Sequence, residues 1–220
     1  MPELPVSDDN ATANEFFFEL TALTSATFWS PVPDPVDDGM VITVGVRLVP
    51  CDAAGSNNCP APFGQRFAAS MNNVSFEPAT RLSLLQAFFD KVDGIYTNDF
   101  PDEPPEKFDY TNQALGTVEN HPIHLHGYDF HILAQGVGNY DPQRDVTNYN
   151  LKNPQIRNTV AVPIGGWAAI RFRANNPGMW FIHCHLEVDM PWGLSAAFAV
   201  ENGPTPSTSL PPPPPNLRQC

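Results

Sequence analysis

The chain has 220 residues and a formal net charge of −13, with 42% hydrophobic and 11% aromatic residues. This length allows one good hydrophobic core, and the negative charge argues against a nucleic-acid backbone or an anionic membrane as a partner. The sequence has no apolar run of about 18 residues, so a transmembrane helix is not expected.

Alternating hydrophobic residues, separated by Gly, Pro and Asn, predict a series of short strands. The predicted strands are 16–23, 41–48, 66–76, 123–133, 159–162, 168–174, 180–185 and 194–200. The strand over 66–76 is expected to break at Asn72-Asn73. Short strands at this spacing indicate an all-β sandwich or barrel. One helix is predicted over residues 80–91, where Leu82, Leu85 and Phe89 recur at helical spacing after a possible cap at Thr80.

The two ends of the chain differ from its middle. Residues 1–15 are polar and irregular, which predicts a linker or the truncated edge of a larger protein. They lack the basic and apolar regions of a signal peptide. Residues 201–220 include five consecutive prolines and are predicted to run as a polyproline II tail. The globular domain is therefore expected over residues 16–200.

The cysteines and two glycosylation sequons give information on whether the protein is secreted. Cys51 and Cys59 border a small polar loop that a disulfide would close. Cys220 is then the cysteine left over, which suggests a partner outside this chain. Sequons begin at Asn10 and Asn73. They have meaning only in a secreted protein, although such sequences also occur by chance.

All six histidines lie between residues 121 and 185, and five of them fall into the segments HPIHLHG (121–127) and HCH (183–185). Because side chains alternate along a strand, His124 and His126 share one face, as do His183 and His185. Four imidazoles can thus converge on one metal group. The alternative is that core or surface histidines cluster by chance.

His121 and Cys184 have the opposite parity and can meet at a second site. Imidazole combined with thiolate is a donor set that suits copper, and a trigonal His₂Cys site with a weak axial group is the blue-copper arrangement. Since Cys184 lies between His183 and His185, the peptide would be a short covalent path for electrons between the two sites.

These motifs carry a family resemblance. HPIHLHG (121–127) and HCHLEVDMPWGL (183–194) resemble the two C-terminal copper motifs of multicopper oxidases. Further segments narrow the resemblance to the third cupredoxin domain of plant laccases: FAASMNNV (67–74), FDYT (108–111), RNTV (157–160) and GGW (165–167).

The resemblance implies a cupredoxin-like Greek-key sandwich that belongs to a protein of three such domains. Members of that family are secreted, apoplastic glycoproteins that use type 1, type 2 and type 3 copper. They oxidise phenols, here expected to be lignin-type, by single electrons and reduce dioxygen to water. The chain would then be a fragment whose partners include the N-terminal cupredoxin domains.

The resemblance also implies a role for each matching residue. Type 1 ligands would be His121 and Cys184, with Leu194 at the non-coordinating axial position. His124 would bind type 2 copper. The type 3 pair would be bound by His126, His183 and His185.

The chain departs from the family pattern in three ways. Asp189 stands where a second type 1 histidine is expected, and a carboxylate disfavours Cu(I). His131 is a weaker substitute for that histidine, because its place along the strand should put it far from the type 1 site. The four further cluster histidines, which the family supplies from His-x-His pairs of its first domain, have no counterpart before His121. Between residues 111 and 119 a pair of strands is expected to be missing.

Three functional hypotheses follow. The first is a laccase-type oxidoreductase, impaired as a 220-residue chain. The second is an inactive copper-binding or structural fragment, and the third is a single-domain electron carrier, which Asp189 weakens. Glu187 and Asp189 are interpreted either as an acid or base near the substrate or as solvated loop carboxylates.

Overall fold

The computed structural model describes residues 6, 9–25, 27, 29–51, 64–111, 120–214 and 216. Among these residues the main elements are two α-helices and nine β-strands, in the order α1 (Asn10–Glu19), β1 (Val44–Pro50), β2 (Gln65–Met71), α2 (Leu84–Asp90), β3 (His121–Leu125), β4 (Phe130–Val137), β5 (Gln155–Arg157), β6 (Thr159–Val162), β7 (Gly166–Arg171), β8 (Gly178–Cys184) and β9 (Ser195–Val200). Short 3-10 turns occur at Asp145–Asn148 and Pro206–Thr208.

The strands form three antiparallel sheets, with the orders β6-β3-β8-β9, β5-β4-β7 and β1-β2. The predicted all-β class is therefore confirmed. The strands β3 and β8, which carry the two histidine segments, are hydrogen-bonded neighbours in the centre of the four-stranded sheet.

One hydrophobic cluster forms the core between these elements. Its buried members include Met71, Leu125, Phe130, Ile182 and Leu194. Along β3 buried residues alternate with partly exposed ones, as expected of a strand with one face on a core. The buried face of this sheet therefore holds both apolar side chains and the sulfur of a cysteine, Cys184.

The predicted strand over 16–23 is wrong, because α1 occupies the first half of that segment and no strand forms in the second half. The side chain of Asp9 caps this helix by accepting hydrogen bonds from the backbone N–H (3.0 Å) and the hydroxyl (2.6 Å) of Thr12. A cap of this kind satisfies backbone N–H groups that the first helical turn leaves open. The helix begins within residues 1–15, and the division of the chain into linker, domain and tail stays a prediction.

The single strand predicted over 123–133 is wrong in extent, because a turn divides it into β3 and β4. Gly127 lies in this turn with a φ of +74°, and a Cβ there would lie 2.2 Å from the Trp180 ring. Only glycine combines that backbone conformation with so close an aromatic neighbour. The turn places Phe130 and Leu133 in a different sheet from His121.

The predicted helix over 80–91 is confirmed in type but is shorter at its start. Ser83, rather than Thr80, caps α2 by accepting a 3.2 Å hydrogen bond from the backbone N–H of Gln86. The helix ends at Asp90, and the C-cap residue Lys91 adopts a left-handed conformation with φ of 56°. Its buried residues are Ala87 and Phe88.

The predicted break inside the strand over 66–76 is confirmed: β2 ends at a tight turn, where Asn72 and Asn73 have φ angles of 47° and 62°. Asparagine tolerates this left-handed region better than most residues. Cys51 is disulfide-bonded, while Cys59 and Cys220 lie outside the described residues, as does most of the segment where strands are expected to be missing. Within the described residues, no helix is both long and apolar enough to span a bilayer.

Candidate metal centres

The pairing of β3 with β8 brings the two histidine segments together. Ile123 lies opposite Cys184, and His124 lies opposite His183. In antiparallel strands, directly opposed residues point to the same face of the sheet. The register therefore places cysteine on the buried face and a pair of imidazoles on the opposite face, as the alternation in the sequence predicts.

The buried face holds a cluster of three potential ligands. Nδ1 of His121 lies 3.1 Å from a carboxylate oxygen of Asp189 and 3.7 Å from Sγ of Cys184. One ligand atom from each residue lies within 4.8 Å of the other two. Cys184 and Asp189 are fully buried and His121 is 9% exposed, so bulk water has little access to the cluster.

The loop after β8 carries Asp189 and Leu194 back to this cluster. The carbonyl of Asp189 accepts hydrogen bonds from the backbone N–H groups of Trp192 (3.2 Å) and Leu194 (3.1 Å). The backbone N–H of Cys184 in turn donates to the carbonyl of Leu194 at 3.1 Å. The backbone thus closes a compact loop, and Leu194 is fully buried in the core next to the cysteine.

Strand β2 and the turn after it hold this loop from outside. The backbone N–H of Ala69 donates to the carbonyl of Trp192 at 2.8 Å, and that of Phe76 donates to the carbonyl of Gly193 at 3.0 Å. Phe67 stacks on Trp192 with ring centroids 4.6 Å apart. These contacts are long-range in sequence, and sequence reasoning did not find them.

Asp189 differs from the solvated loop carboxylate that sequence analysis considered. Its side chain is fully buried, and its second oxygen, Oδ1, has no hydrogen-bond partner within the described part of the chain. An unpaired buried carboxylate oxygen is costly and indicates a missing ligand or counter-charge. Glu187, two residues earlier, is exposed.

The opposite face gathers four imidazoles. Nε2 of His126 lies 3.1 Å from Nε2 of His183. Ring centroids of neighbouring histidines lie 4.9 to 5.8 Å apart, for the pairs 124/126, 126/183, 124/183, 124/185 and 183/185. Imidazole nitrogens bind first-row metals at about 2.0–2.1 Å, so two nitrogens on one ion lie roughly 3 Å apart. His126 and His183 already have this spacing.

Two of these rings are oriented by hydrogen bonds from their other nitrogen. Nδ1 of His124 lies 2.8 Å from the carbonyl of Asn158 and 2.9 Å from the hydroxyl of Thr159. Nδ1 of His183 lies 2.8 Å from the carbonyl of Cys184. A carbonyl can only accept, so each Nδ1 carries the proton and each Nε2 is left as a potential ligand.

Asn158 and Thr159 are therefore supporting residues of the histidine group that sequence reasoning missed. The segment RNTV (157–160) contains them, but it entered the sequence analysis only through the family resemblance. Its contact with His124 depends on the pairing of β3 with β6, in which His124 lies opposite Thr159.

The electrostatic environment favours neutral imidazoles. Loss of solvation lowers the pKa of His126, and the neighbouring rings of His124, His183 and His185 lower it further. Loss of solvation likewise lowers the pKa of His183, against the hydrogen bond to Cys184, which raises it. Neutral imidazole is the form that binds a metal.

His131 lies elsewhere. It is a residue of β4 in the three-stranded sheet, is 5% exposed, and its Nε2 lies 3.0 Å from the carbonyl of Ser30. His121, Cys184 and Asp189 lie together without it.

The two donor sets differ in how well they suit copper. The four imidazoles are ligands that copper binds well, and the hydrogen bonds of His124 and His183 leave their Nε2 atoms available. The buried cluster supplies nitrogen, sulfur and carboxylate oxygen, whereas a blue-copper site takes two histidines and a cysteine. The histidine group fits copper, and the cluster fits it only in part.

Comparisons with known proteins agree with this geometry. The sequence profile described as "Multicopper oxidase" matches residues 97–204. Laccase-7 of Arabidopsis thaliana is 48% identical over 254 aligned positions, which cover 100% of this chain and 44% of that protein. Laccase-7 of Oryza sativa subsp. japonica is 47% identical over 240 positions, with 100% and 42% coverage.

Among solved structures, Fet3p, "a Multicopper Oxidase that Functions in Iron Import", aligns with a TM-score of 0.52 at 19% identity. The alignment covers 78% of this chain and 33% of that one, and at this identity it supports the cupredoxin fold alone. Residues 97–204 therefore belong to the multicopper oxidases, a family that uses copper.

Within that family the chain is similar over its whole length to plant laccases. It spans less than half the length of these relatives. The alignment with the Arabidopsis protein extends over 254 positions although the chain has 220 residues. That relative therefore carries internal residues that have no counterpart here.

Proposed function

We propose that the chain provides the C-terminal copper-binding part of a laccase-type oxidase. The reaction is the one-electron oxidation of phenols, of the lignin type, coupled to reduction of dioxygen to water. The observation that carries this proposal is the β3–β8 register, which separates Cys184 and His121 on a buried face from four imidazoles on the opposite face.

In this proposal the two faces of the β3–β8 pair bind different types of copper. His121 and Cys184 hold the type 1 position with Leu194 as its non-coordinating axial neighbour. His124 binds type 2 copper, and the type 3 pair is bound by His126, His183 and His185. Copper, when bound, supplies single-electron oxidation and the reduction of oxygen.

The protein's own contribution is the connection between the faces. The side chain of Cys184 lies on the buried face, while its backbone carbonyl lies 2.8 Å from Nδ1 of His183. The covalent chain and this hydrogen bond together link the thiolate to the histidine group. Asn158 and Thr159 keep His124 in the tautomer that exposes Nε2.

A complete trinuclear site needs four further histidines, which in the family come from the first cupredoxin domain. The greater length of the laccase relatives supports the proposal that such domains complete the site. The extra aligned positions of the relative support the proposal that a pair of strands near residues 112–119 is missing from this chain.

Asp189 favours a second candidate function, a copper-binding protein that does not oxidise phenols. In the family the residue at this position is a histidine that faces the substrate and admits electrons. Here a fully buried carboxylate lies 3.1 Å from His121 instead. A secreted, glycosylated protein fits both candidates, and the sequon residue Asn73 lies exposed in the turn after β2.

Copper reconstitution of the full 220-residue chain tests the proposal. We expect copper binding that is lost in a His126→Ala/His183→Ala variant and retained in His131→Ala, a histidine outside the group. We also expect no phenol-dependent oxygen uptake by the chain alone. Copper binding that is unchanged in the double variant would refute the site, and turnover by the isolated chain would refute the need for further domains.

A further inference from the structure

We infer that His121, Cys184 and Asp189 form a buried site for a divalent cation that does not change oxidation state, with Zn²⁺ as the occupant. The inference concerns only this buried cluster. It does not rest on the proposed copper binding by the four histidines. It excludes the type 1 copper role proposed above for His121 and Cys184, and it therefore favours the second candidate function, a copper-binding protein that does not oxidise phenols.

The spacing of the three side chains matches ligands around one ion. Zinc binds His nitrogen at about 2.0–2.1 Å and Cys sulfur at about 2.3 Å, which at a tetrahedral angle puts the two atoms roughly 3.6 Å apart. Nδ1 of His121 and Sγ of Cys184 are 3.7 Å apart. Such spacing suits copper equally well, so the identity of the ion follows from the donors.

The formal charges of the donors favour a divalent ion. A thiolate and a carboxylate together carry two negative charges, and a divalent cation neutralises them. A monovalent cation, such as the reduced state of copper, would leave one negative charge buried, which is costly in a site without solvent. Cys184 and Asp189 are both fully buried.

A site with two histidines and one cysteine has the opposite preference, because its single thiolate is neutralised by a monovalent ion. Replacing one neutral histidine by Asp189 therefore moves the neutral state of the site from the reduced to the oxidised form of copper. Electron transfer through this position becomes unfavourable, whereas Zn²⁺, which has no redox chemistry, suits a Cys, His and Asp donor set.

The unpaired oxygen of Asp189 supplies the third protein donor. Oδ2 lies 3.1 Å from His121, while Oδ1 is buried without a partner among the described residues. Three protein donors leave one tetrahedral position of a zinc ion for a non-protein ligand such as water. Leu194, which is fully buried, contributes an apolar neighbour that offers no further ligand.

Co²⁺ is the probe that tests this inference, because tetrahedral Co²⁺ bound to thiolate absorbs strongly and Zn²⁺ does not. We expect the full chain, freed of metal, to develop a Co²⁺–thiolate charge-transfer band that saturates at one equivalent bound to Cys184 and that Zn²⁺ abolishes by displacement. Asp189→Asn keeps the shape but removes the charge and should weaken Co²⁺ binding by more than about 100-fold, since loss of even an outer partner costs 10–100-fold.

Two further variants separate this site from the histidine group. His126→Ala should leave the Co²⁺–thiolate band unchanged, whereas Cys184→Ser should remove it, with folding of each variant checked by circular dichroism. Asp189→His should lose preference for Zn²⁺ and develop a blue thiolate-to-copper band on addition of Cu²⁺.

The inference is overturned by any of three results. These are a Co²⁺–thiolate band of equal affinity in Asp189→Asn, absence of a Co²⁺–thiolate band that Zn²⁺ displaces in the folded chain, or an intense blue copper band with reversible reduction in the unaltered protein.

Discussion

Gly193→Ala tests whether β2 positions the loop that carries Asp189 and Leu194. Gly193 has a φ of +106°, a conformation that residues with a Cβ rarely adopt. A Cβ at this position would lie 2.0 Å from the hydroxyl of Ser75 and 2.9 Å from the backbone carbonyl of Ala69. The serine can rotate, at the cost of its 2.8 Å hydrogen bond to Ala69, but the carbonyl belongs to a paired strand.

Two costs add in this variant. A strained backbone conformation costs about 1–3 kcal/mol, and overpacking costs about 1–3 kcal/mol. We therefore expect the free energy of unfolding to fall by roughly 2–6 kcal/mol, a large part of the total stability of a typical domain. The movement of the loop should also weaken the Co²⁺–thiolate band of Cys184.

Gly94→Ala is the matched control. Gly94 also has a positive φ, +77°, but a Cβ there would meet no atom within 4 Å. It should show the strain alone, with no change at Cys184. Urea unfolding followed by circular dichroism gives both free energies, and a Gly193→Ala variant no less stable than Gly94→Ala would refute the proposed packing.

The remaining predictions concern single contacts. Asn72→Ala should lower the free energy of unfolding by roughly 2–5 kcal/mol, because the buried Asn72 side chain forms hydrogen bonds with Thr43, Val41 and Pro101. Asn73 is exposed in the same turn, so Asn73→Ala should lower the free energy of unfolding by less. Equal urea midpoints for the two variants would contradict this. Thr159→Ala should weaken copper binding by the histidine group without changing the Co²⁺–thiolate band, as measured by titration; an unchanged copper affinity would mean that the Asn158 carbonyl alone orients His124. Hydrogen bonds from Thr111 and Asn139 lower the pKa of Asp109. The carboxylate should therefore stabilise the fold above the pH at which an ordinary aspartate titrates, and this stabilisation should be lost as the pH falls through the lowered pKa of Asp109. Asp109→Asn should make the free energy of unfolding less dependent on pH in this acidic range, and an unchanged pH dependence in the variant would contradict the prediction.

The histidine group shows how far sequence alone reaches. Parity along two strands predicts which face each of His124, His183 and Cys184 occupies, because side-chain alternation is a local property of a strand. The β3–β8 pairing has the register that places these residues as predicted. The roles of the individual ligands remain proposals, since they depend on copper and on other domains.

Asp189 shows where sequence reasoning ends. The resemblance placed Asp189 at a type 1 ligand position, and the residue alone suggested either an acid or base or a solvated loop carboxylate. The backbone bonds of Trp192 and Leu194 fold the loop over the cysteine, and Asp189 is fully buried. Residues more than a hundred positions earlier also contact this loop, as in the 3.3 Å hydrogen bond from the Ser75 hydroxyl, after β2, to the carbonyl of Trp192. Local pattern carries no information about such partners.

The error at the N-terminus has a different, local cause. Alternating hydrophobic residues over 16–23 predicted a strand, but Phe16, Phe17 and Phe18 lie on a helix and are 48% exposed or more. The cap that Asp9 provides by accepting from the backbone N–H of Thr12 gives that segment a local reason to be helical. Hydrophobic alternation alone did not distinguish the two structures.

The central claim is that four histidines on one face of the β3–β8 pair bind copper while the cluster on the other face does not cycle between oxidation states. Electron paramagnetic resonance of the full chain during a copper titration tests it most directly. We predict a Cu²⁺ signal with imidazole nitrogen couplings that disappears in His126→Ala/His183→Ala and persists in Asp189→Asn. A signal unaffected by the two histidine substitutions, or a narrow type 1 signal from the unaltered protein, would contradict the account.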